Sequence, residues 1–326
     1  MPYQKSPYFD TPSRTKTLWR YMHIDKFMSM LKTQFLYFPK ITVFNDIYEG
    51  ELSDKSRTEV YKTNLLDDKN TPIEQDDVFR TQKERMEEYD GPHKKQMLSL
   101  FHSIDTLLTK FSKHLMFCNC WFLSDNESHS MWAEYGDKSP TSIAIQTTVG
   151  DLIDSFELTE FDIHIGTVKY KDYKNEHIEG YEDFTSINLN KPENVLQLFY
   201  APIMHKRNIY ADEHEVQAVV SFDSICNKYL DRIYTSNIPF YNDKLYEYDF
   251  SLFNTGKTNI LKDIPKEGLN INVNLGTLIK TVAMSPYANG YFDEPLRKLL
   301  DDNNLNGGMV RISQIAEVLE KVSLIE

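Results

Sequence analysis

At 326 residues, with 40% hydrophobic, 13% aromatic and 26% charged side chains, the chain has the make-up of a water-soluble folded protein and ample length for a sizeable core. A net charge of -13 opposes a broad nucleic-acid footprint or contact with an anionic membrane, since both need a basic face, although a local basic groove stays open. No apolar run approaches the roughly eighteen residues of a membrane span and no signal-peptide core opens the chain, so a cytoplasmic protein without membrane contact is expected.

Residues 1–17 are rich in Ser, Thr, Lys and Pro and are expected to form an irregular surface arm, with residues 18–326 as a single domain. Leu18 to Met22 reads as a strand. Ile24 to Gln34 follows as a helix with Phe27, Met28 and Leu31 at helical spacing, and Phe35 to Phe38 as a strand stopped by Pro39. The loop Phe44-Asn45-Asp46-Ile47-Tyr48-Glu49-Gly50 closes this unit. From about 51 to 114 mixed charges predict an inserted helical segment, ending in an amphipathic helix through Met97, Leu100, Phe101, Ile104, Leu107, Leu108 and Phe111.

Leu115 to Leu123 reads as a buried strand, Ser124-Asp125-Asn126 as a turn, and Glu127 to Tyr135 as a helix spacing Ser128, Met131, Trp132 and Tyr135 at helical intervals. Two of the three tryptophans, Trp121 and Trp132, thus lie beside a carboxylate and a hydroxyl. Such a strand, turn and aromatic helix predicts one wall of a ligand cleft, the plain alternative being that both indoles anchor the core.

Ser142 to Val149 and Phe161 to Tyr170 read as strands, and Asn194 to Met204 as a helix. After His205-Lys206-Arg207, the alternation from Glu215 to Val220 predicts a strand whose start carries Glu213 and Glu215. Leu269, Ile271, Val273 and Leu275 alternate with asparagines as a half-buried strand, Lys280 to Ser285 reads as the next, and helices are predicted near Glu294 to Leu300 and Ser313 to Lys321. The fold class is α+β, with central mixed or antiparallel sheets and flanking helices. Cys118, Cys120 and Cys226 make no disulfide framework and no zinc spacing, and no phosphate-cradling glycine motif occurs, so no metal is expected.

Leu18-Trp19-Arg20-Tyr21, the Phe44 to Gly50 loop, Cys120-Trp121 with Glu127-Ser128 and Met131-Trp132, Lys206 with Glu213-x-Glu215, and Met284-Ser285-Pro286-Tyr287-Ala288 together resemble the bacterial domain of unknown function 2971, from about Leu18 to Leu300. The layout also resembles, more remotely, the ADP-ribosyltransferase fold, especially the branch that modifies nucleic-acid bases. This second resemblance implies NAD as a substrate and ADP-ribosyl transfer to a nucleic-acid or protein acceptor, in a bacterial toxin or antiphage effector. It implies Glu215, Glu213 and Arg20 as the catalytic set, with Arg20, Tyr21, Phe44, Trp121, Ser128, Trp132 and Tyr135 contacting NAD. For the middle Ser or Tyr position of that fold, Ser128, Tyr135 and Ser142 stay open.

The implied chemistry suits these residue types. Breaking the nicotinamide glycosidic bond develops an oxocarbenium ion, which a nearby carboxylate, Glu215 first, stabilises more in the transition state than in the ground state. Glu213, read as lying on the same strand face, could contact the acceptor. Arg20 would hold diphosphate, and Glu127, Lys206 and Arg207 would meet the acceptor. Two other classes remain: a sensor binding a nucleotide or phage component without turnover, and a magnesium nuclease using Asp46, Glu49, Glu127 and Glu215. The acceptor, the oligomeric state and a regulatory protein partner are left open.

Overall fold

The computed structural model describes residues 2–63, 112–183, 187, 192–225, 228–229 and 263–316. Its centre is a mixed seven-stranded sheet flanked by helices, an α+β architecture. The strands are β1 (Thr17–Met22), β3 (Cys118–Leu123), β4 (Ile143–Thr148), β5 (Ile163–Thr167), β8 (Glu215–Val220), β10 (Thr281–Met284) and β11 (Val310–Arg311), ordered β11-β10-β4-β1-β3-β8-β5. Every neighbouring pair is antiparallel except β10 with β11. A second sheet pairs β2 (Phe35–Pro39) with β9 (Gly268–Asn272), and a third pairs β6 (Lys169–Lys171) in parallel with β7 (His205–Arg207).

β1 is covered on both faces, which is why it reads as a nearly continuous apolar run. Leu18 and Met22 join the main core. Trp19 and Tyr21 point the other way, sharing a second cluster with Phe122, Ala144 and Ala283, which hold matching registers on neighbouring strands. The helix α4 (His129–Gly136) lies on that second face through Met131 and Trp132. Ser128 caps it, its hydroxyl accepting the Met131 N–H at 3.4 Å.

The remaining helices are α1 (Ile24–Thr33), α2 (Asp54–Thr63), α3 (Ser112–Leu115), α5 (Val149–Ser155), α6 (Pro192–Tyr200), α7 (Leu275–Leu278) and α8 (Asp293–Asp302). α1 buries Phe27, Met30 and Leu31, leaving Met28 exposed, so its inward stripe is set one step away from the expected one. Leu115 closes α3 rather than opening β3, and the stretch from Phe161 divides into β5 and β6. The asparagine-faced strand stops at Asn272 because Asn274 accepts the Thr277 N–H at 3.2 Å and starts α7. The insertion between 64 and 111, with its amphipathic helix, lies outside the described residues, as does the chain beyond Ala316. Among the described residues no helix is long and apolar enough to cross a membrane.

The first residues are irregular in conformation but pinned to the body. Gln4 N–H donates to the Ile163 carbonyl at 2.9 Å, Ile163 N–H donates to Pro2, and Phe9 is buried against Tyr200 and His164. A Cβ on Gly166 would meet Phe9 at 3.0 Å, so the bare backbone of β5 is what lets the arm approach.

Candidate functional site

Lys206 stands among three carboxylates. Its Nζ lies 2.5 Å from Glu215 Oε2 and 3.4 Å from both Glu49 Oε1 and Glu213 Oε2. Gln217 Nε2 donates to Glu215 Oε1 at 3.0 Å and to Glu49 Oε1 at 3.3 Å, so one amide ties the two acids together. The Tyr135 hydroxyl donates to Glu213 Oε1 at 3.1 Å. Lys206, Glu49 and Glu215 are only 7%, 4% and 4% exposed, whereas Tyr135 is 44% exposed and marks the side open to water.

Local structure explains the convergence. The register of β6 on β7 sets Tyr170 beside Lys206, and the Tyr170 hydroxyl accepts the Glu215 N–H at 2.9 Å, fixing the first residue of β8. Glu215 and Gln217 are two apart on β8 and face the same way. Glu213 does not share that strand, contrary to the sequence expectation. Asn208–Glu213 forms a 3₁₀ turn and His214 takes a left-handed conformation, φ 39° and ψ 50°, which folds the Glu213 carboxylate back toward Lys206. A non-glycine residue held in that region stores strain of order 1 kcal/mol, and such strain gathers at functional sites.

Burial pushes the Glu49 carboxyl up to about 7, with Lys206 pulling it down and Glu215 and Glu213 pushing it further up. Burial also raises Glu213. For Lys206 burial works against the charge, but Glu215, Cys120, Glu49 and Glu213 outweigh it and hold the ammonium well above its ordinary range. Burial, then Glu213 and Glu215, raise the Tyr135 phenol, which therefore remains a donor at neutral pH.

Arg20 enters from the other side. The β1–β3 ladder ends at Trp19–Phe122, and the Cys120 carbonyl, which the next rung would engage, accepts from Arg20 NH1 at 2.8 Å. The guanidinium carbon is 5.7 Å from the centre of the Trp121 ring. Burial lowers the Arg20 pKa, while Cys120, Tyr135, Cys118 and Glu215 support its charge, so Arg20 lies within electrostatic reach of the acidic cluster. Among the described residues its Nε and NH2 meet no protein acceptor.

The other expected residues are placed differently. Trp121 and Trp132 are 1% and 0% exposed, so their rings pack the two clusters instead of forming a water-facing wall. Trp132 meets Tyr21 edge to face at 5.0 Å and donates to Glu127 Oε2 at 3.0 Å. Glu127 also receives Arg311, Ser313 and the Gln314 N–H, which commits it to structure and away from an acceptor. The Tyr21 hydroxyl accepts the Ser128 N–H, and Phe44 packs on the core. Arg207 pairs with Asp46 at 2.8 Å and lies over the Tyr48 ring at 4.4 Å. Asp46, Glu127 and the Glu49–Glu215 pair thus have separate partners, and the four acids of the nuclease alternative do not converge.

Of the three candidates for the middle position, Ser128 is taken up by its cap and Ser142 donates to the Gly136 carbonyl at 2.7 Å; Tyr135 is the one facing the carboxylates. The sequence assigns Gln217 no role, and gives Glu49 a chemical one only as a magnesium ligand of the nuclease alternative, beside its structural readings as a partner of Arg20 or a cap of the next helix. The Glu215-x-Gln217 alternation was a signal for the first. Nothing local signals that Glu49, 166 positions before Glu215, closes the same cluster. No family model, curated protein or solved structure matches the chain.

Proposed function

We propose that the chain transfers ADP-ribose from NAD to a nucleic-acid or protein acceptor, with Glu215 stabilising the oxocarbenium ion that forms at the nicotinamide ribose. The observation that carries this reading is the placement of Glu215. It opens β8, is oriented through both carboxylate oxygens by Lys206 and Gln217, and lies within electrostatic reach of Arg20 at the point where β1 and β3 part. A carboxylate held this way needs little reorganisation as positive charge develops. Arg20 supplies cationic donors for a diphosphate, and the half-exposed Tyr135 ring supplies a face for the nicotinamide cation. The order of motifs, which resembles the domain of unknown function 2971 and the ADP-ribosyltransferase layout, points the same way.

The test is incubation with NAD labelled in the adenylate, with bacterial lysate as the acceptor pool. The wild type is expected to move label into macromolecules. Glu215→Gln should lower NAD consumption about 10²- to 10³-fold while melting within a few degrees of the wild type. Undiminished transfer by a folded Glu215→Gln protein would remove Glu215 from the chemistry.

A further inference from the structure

The three carboxylates around Lys206 are not equivalent. Glu215 uses Oε1 for Gln217 and Oε2 for Lys206. Glu213 uses Oε1 for Tyr135 and Oε2 for Lys206. Glu49 takes both of its contacts, Gln217 and Lys206, on Oε1, so its Oε2 has no protein partner among the described residues. It is the one acid of the three with an oxygen clear of any contact to the described residues, and so the one whose proton uptake breaks no existing bond. The amide of Gln217, whose Nε2 bonds both acids, keeps Glu49 next to Glu215, and the buried Gln217 Oε1 has no partner among the described residues.

Resting on the ADP-ribosyl reading, the geometry points to Glu49 as the group that takes the proton from the acceptor, and to an acceptor that is a neutral N–H or O–H nucleophile. As the bond between C1′ and nicotinamide breaks, its electron pair leaves with nicotinamide. The acceptor nitrogen or oxygen bonds to C1′, its proton passes to Glu49 Oε2, and solvent receives that proton when product leaves. NAD and the acceptor are the only reactants. A carboxylate or phosphate acceptor would bring another negative charge beside Glu49, Glu213 and Glu215, with Lys206 the cation that contacts them and Arg20 engaged by the NAD diphosphate, and would have no proton to give. The raised Glu49 pKa, near 7, suits a base that must also release its proton near neutrality. The charged groups facing Glu49 are Lys206 from β7, Glu215 from β8 and Glu213 from the preceding turn, and the Tyr173 ring also feels its charge.

The experiment compares wild type, Glu49→Gln and Glu49→Asp for label transfer to lysate macromolecules and for NAD hydrolysis to ADP-ribose. Water that captures the oxocarbenium ion hands its proton on to other water molecules, whereas an acceptor N–H or O–H seated at the buried cluster has Glu49 to take its proton, so the two readouts separate. Glu49→Gln is expected to lower the ratio of transfer to hydrolysis about 10²-fold or more, whatever the common loss that the shared Lys206 and Gln217 contacts impose on both. Should Glu49→Gln fail to fold, Glu49→Asp, which sets the carboxyl back by one methylene, should show the same split in milder form. Equal loss of both activities, loss of neither, or a wild type that hydrolyses NAD without labelling any acceptor would each overturn the role of Glu49. A wild type that consumes no NAD would instead sink the ADP-ribosyl reading, and this inference with it.

Discussion

Lys206 carries one positive charge against three acids in a site almost closed to water, and the consequences can be measured without any substrate. Removing the ammonium leaves Glu215 and Glu49 buried without their counter-charge. Lys206→Met, which keeps the side-chain length, should therefore destabilise the protein by about 3–5 kcal/mol in urea denaturation. A loss below about 1 kcal/mol would show that the carboxylates are solvated or protonated. Glu49 gives the pH counterpart. Its folded pKa near 7 lies above the 4.5 of an unperturbed glutamate, so between those values the unfolded chain gives up the proton first. Stability attributable to Glu49 is undiminished below about pH 4.5, falls as pH rises toward 7 and is level above that, a total on the order of 3 kcal/mol. Wild type should lose stability between about pH 4.5 and pH 7, and Glu49→Gln should lose less. Parallel pH profiles for the two proteins would mean that another group, Glu213 being the nearest with a raised pKa, is responsible.

Between elements, Glu127 is a concentrated connection, its carboxylate joining the start of α4 to the end of β11 and the segment that follows. Trp132 Nε1, Arg311 NH1, Ser313 Oγ and the Gln314 N–H reach it at 3.0, 2.6, 2.5 and 3.1 Å. Truncation by Glu127→Ala strands a buried indole N–H and an arginine, at a cost of about 3–5 kcal/mol. Hydrogen exchange should then accelerate in residues 311–316 and the first turn of α4 before anywhere else. Uniform acceleration across the sheet would argue against a local clamp. This element was legible in part. Ser128 as a cap and the helical spacing of Met131, Trp132 and Tyr135 follow from short-range rules, and α4 forms where they place it. Apart from Trp132, five positions on, the partners of Glu127 come from 184 to 187 positions away, and no periodicity encodes such a distance. The same gap made the indoles look like a cleft wall: an aromatic pair beside a carboxylate reads alike whether the acid meets a ligand or, as here, an indole N–H and Arg311. Strands with clean alternation, β8 and β9, were legible for the opposite reason, since a period of two is set by local pleat geometry. The left-handed turn at His214 carries no residue that announces it, and so the spacing of two by itself sets Glu213 on the face of Glu215.

At the scale of the whole molecule, one edge of the seven-stranded sheet is β5, and it is the arm that covers it. Tyr3 bridges Ile163, the Thr11 hydroxyl donates to the Ile165 carbonyl at 2.6 Å, and the Thr167 N–H donates to Asp10 at 2.9 Å, so residues 2–11 run along the strand and occupy groups that would otherwise face solvent. An uncovered edge of Val- and Ile-rich sheet invites pairing with another chain. The polar composition of residues 1–17 suggested a loose surface arm, but Tyr3 and Tyr8 pack on the core and Phe9 is buried in it, and those rings outweigh the surrounding Ser, Thr and Lys. Two changes separate packing from edge protection. Phe9→Ala should cost about 3–5 kcal/mol from the lost ring, and a chain of this size should melt on the order of 10 °C lower, while remaining in its original oligomeric state because the backbone contacts of the arm persist. Deleting residues 2–12 removes both terms, and should add concentration-dependent association measurable by light scattering. If the truncated chain melts no lower than Phe9→Ala and scatters no more, the arm is only a packing element and β5 is protected by its own twist.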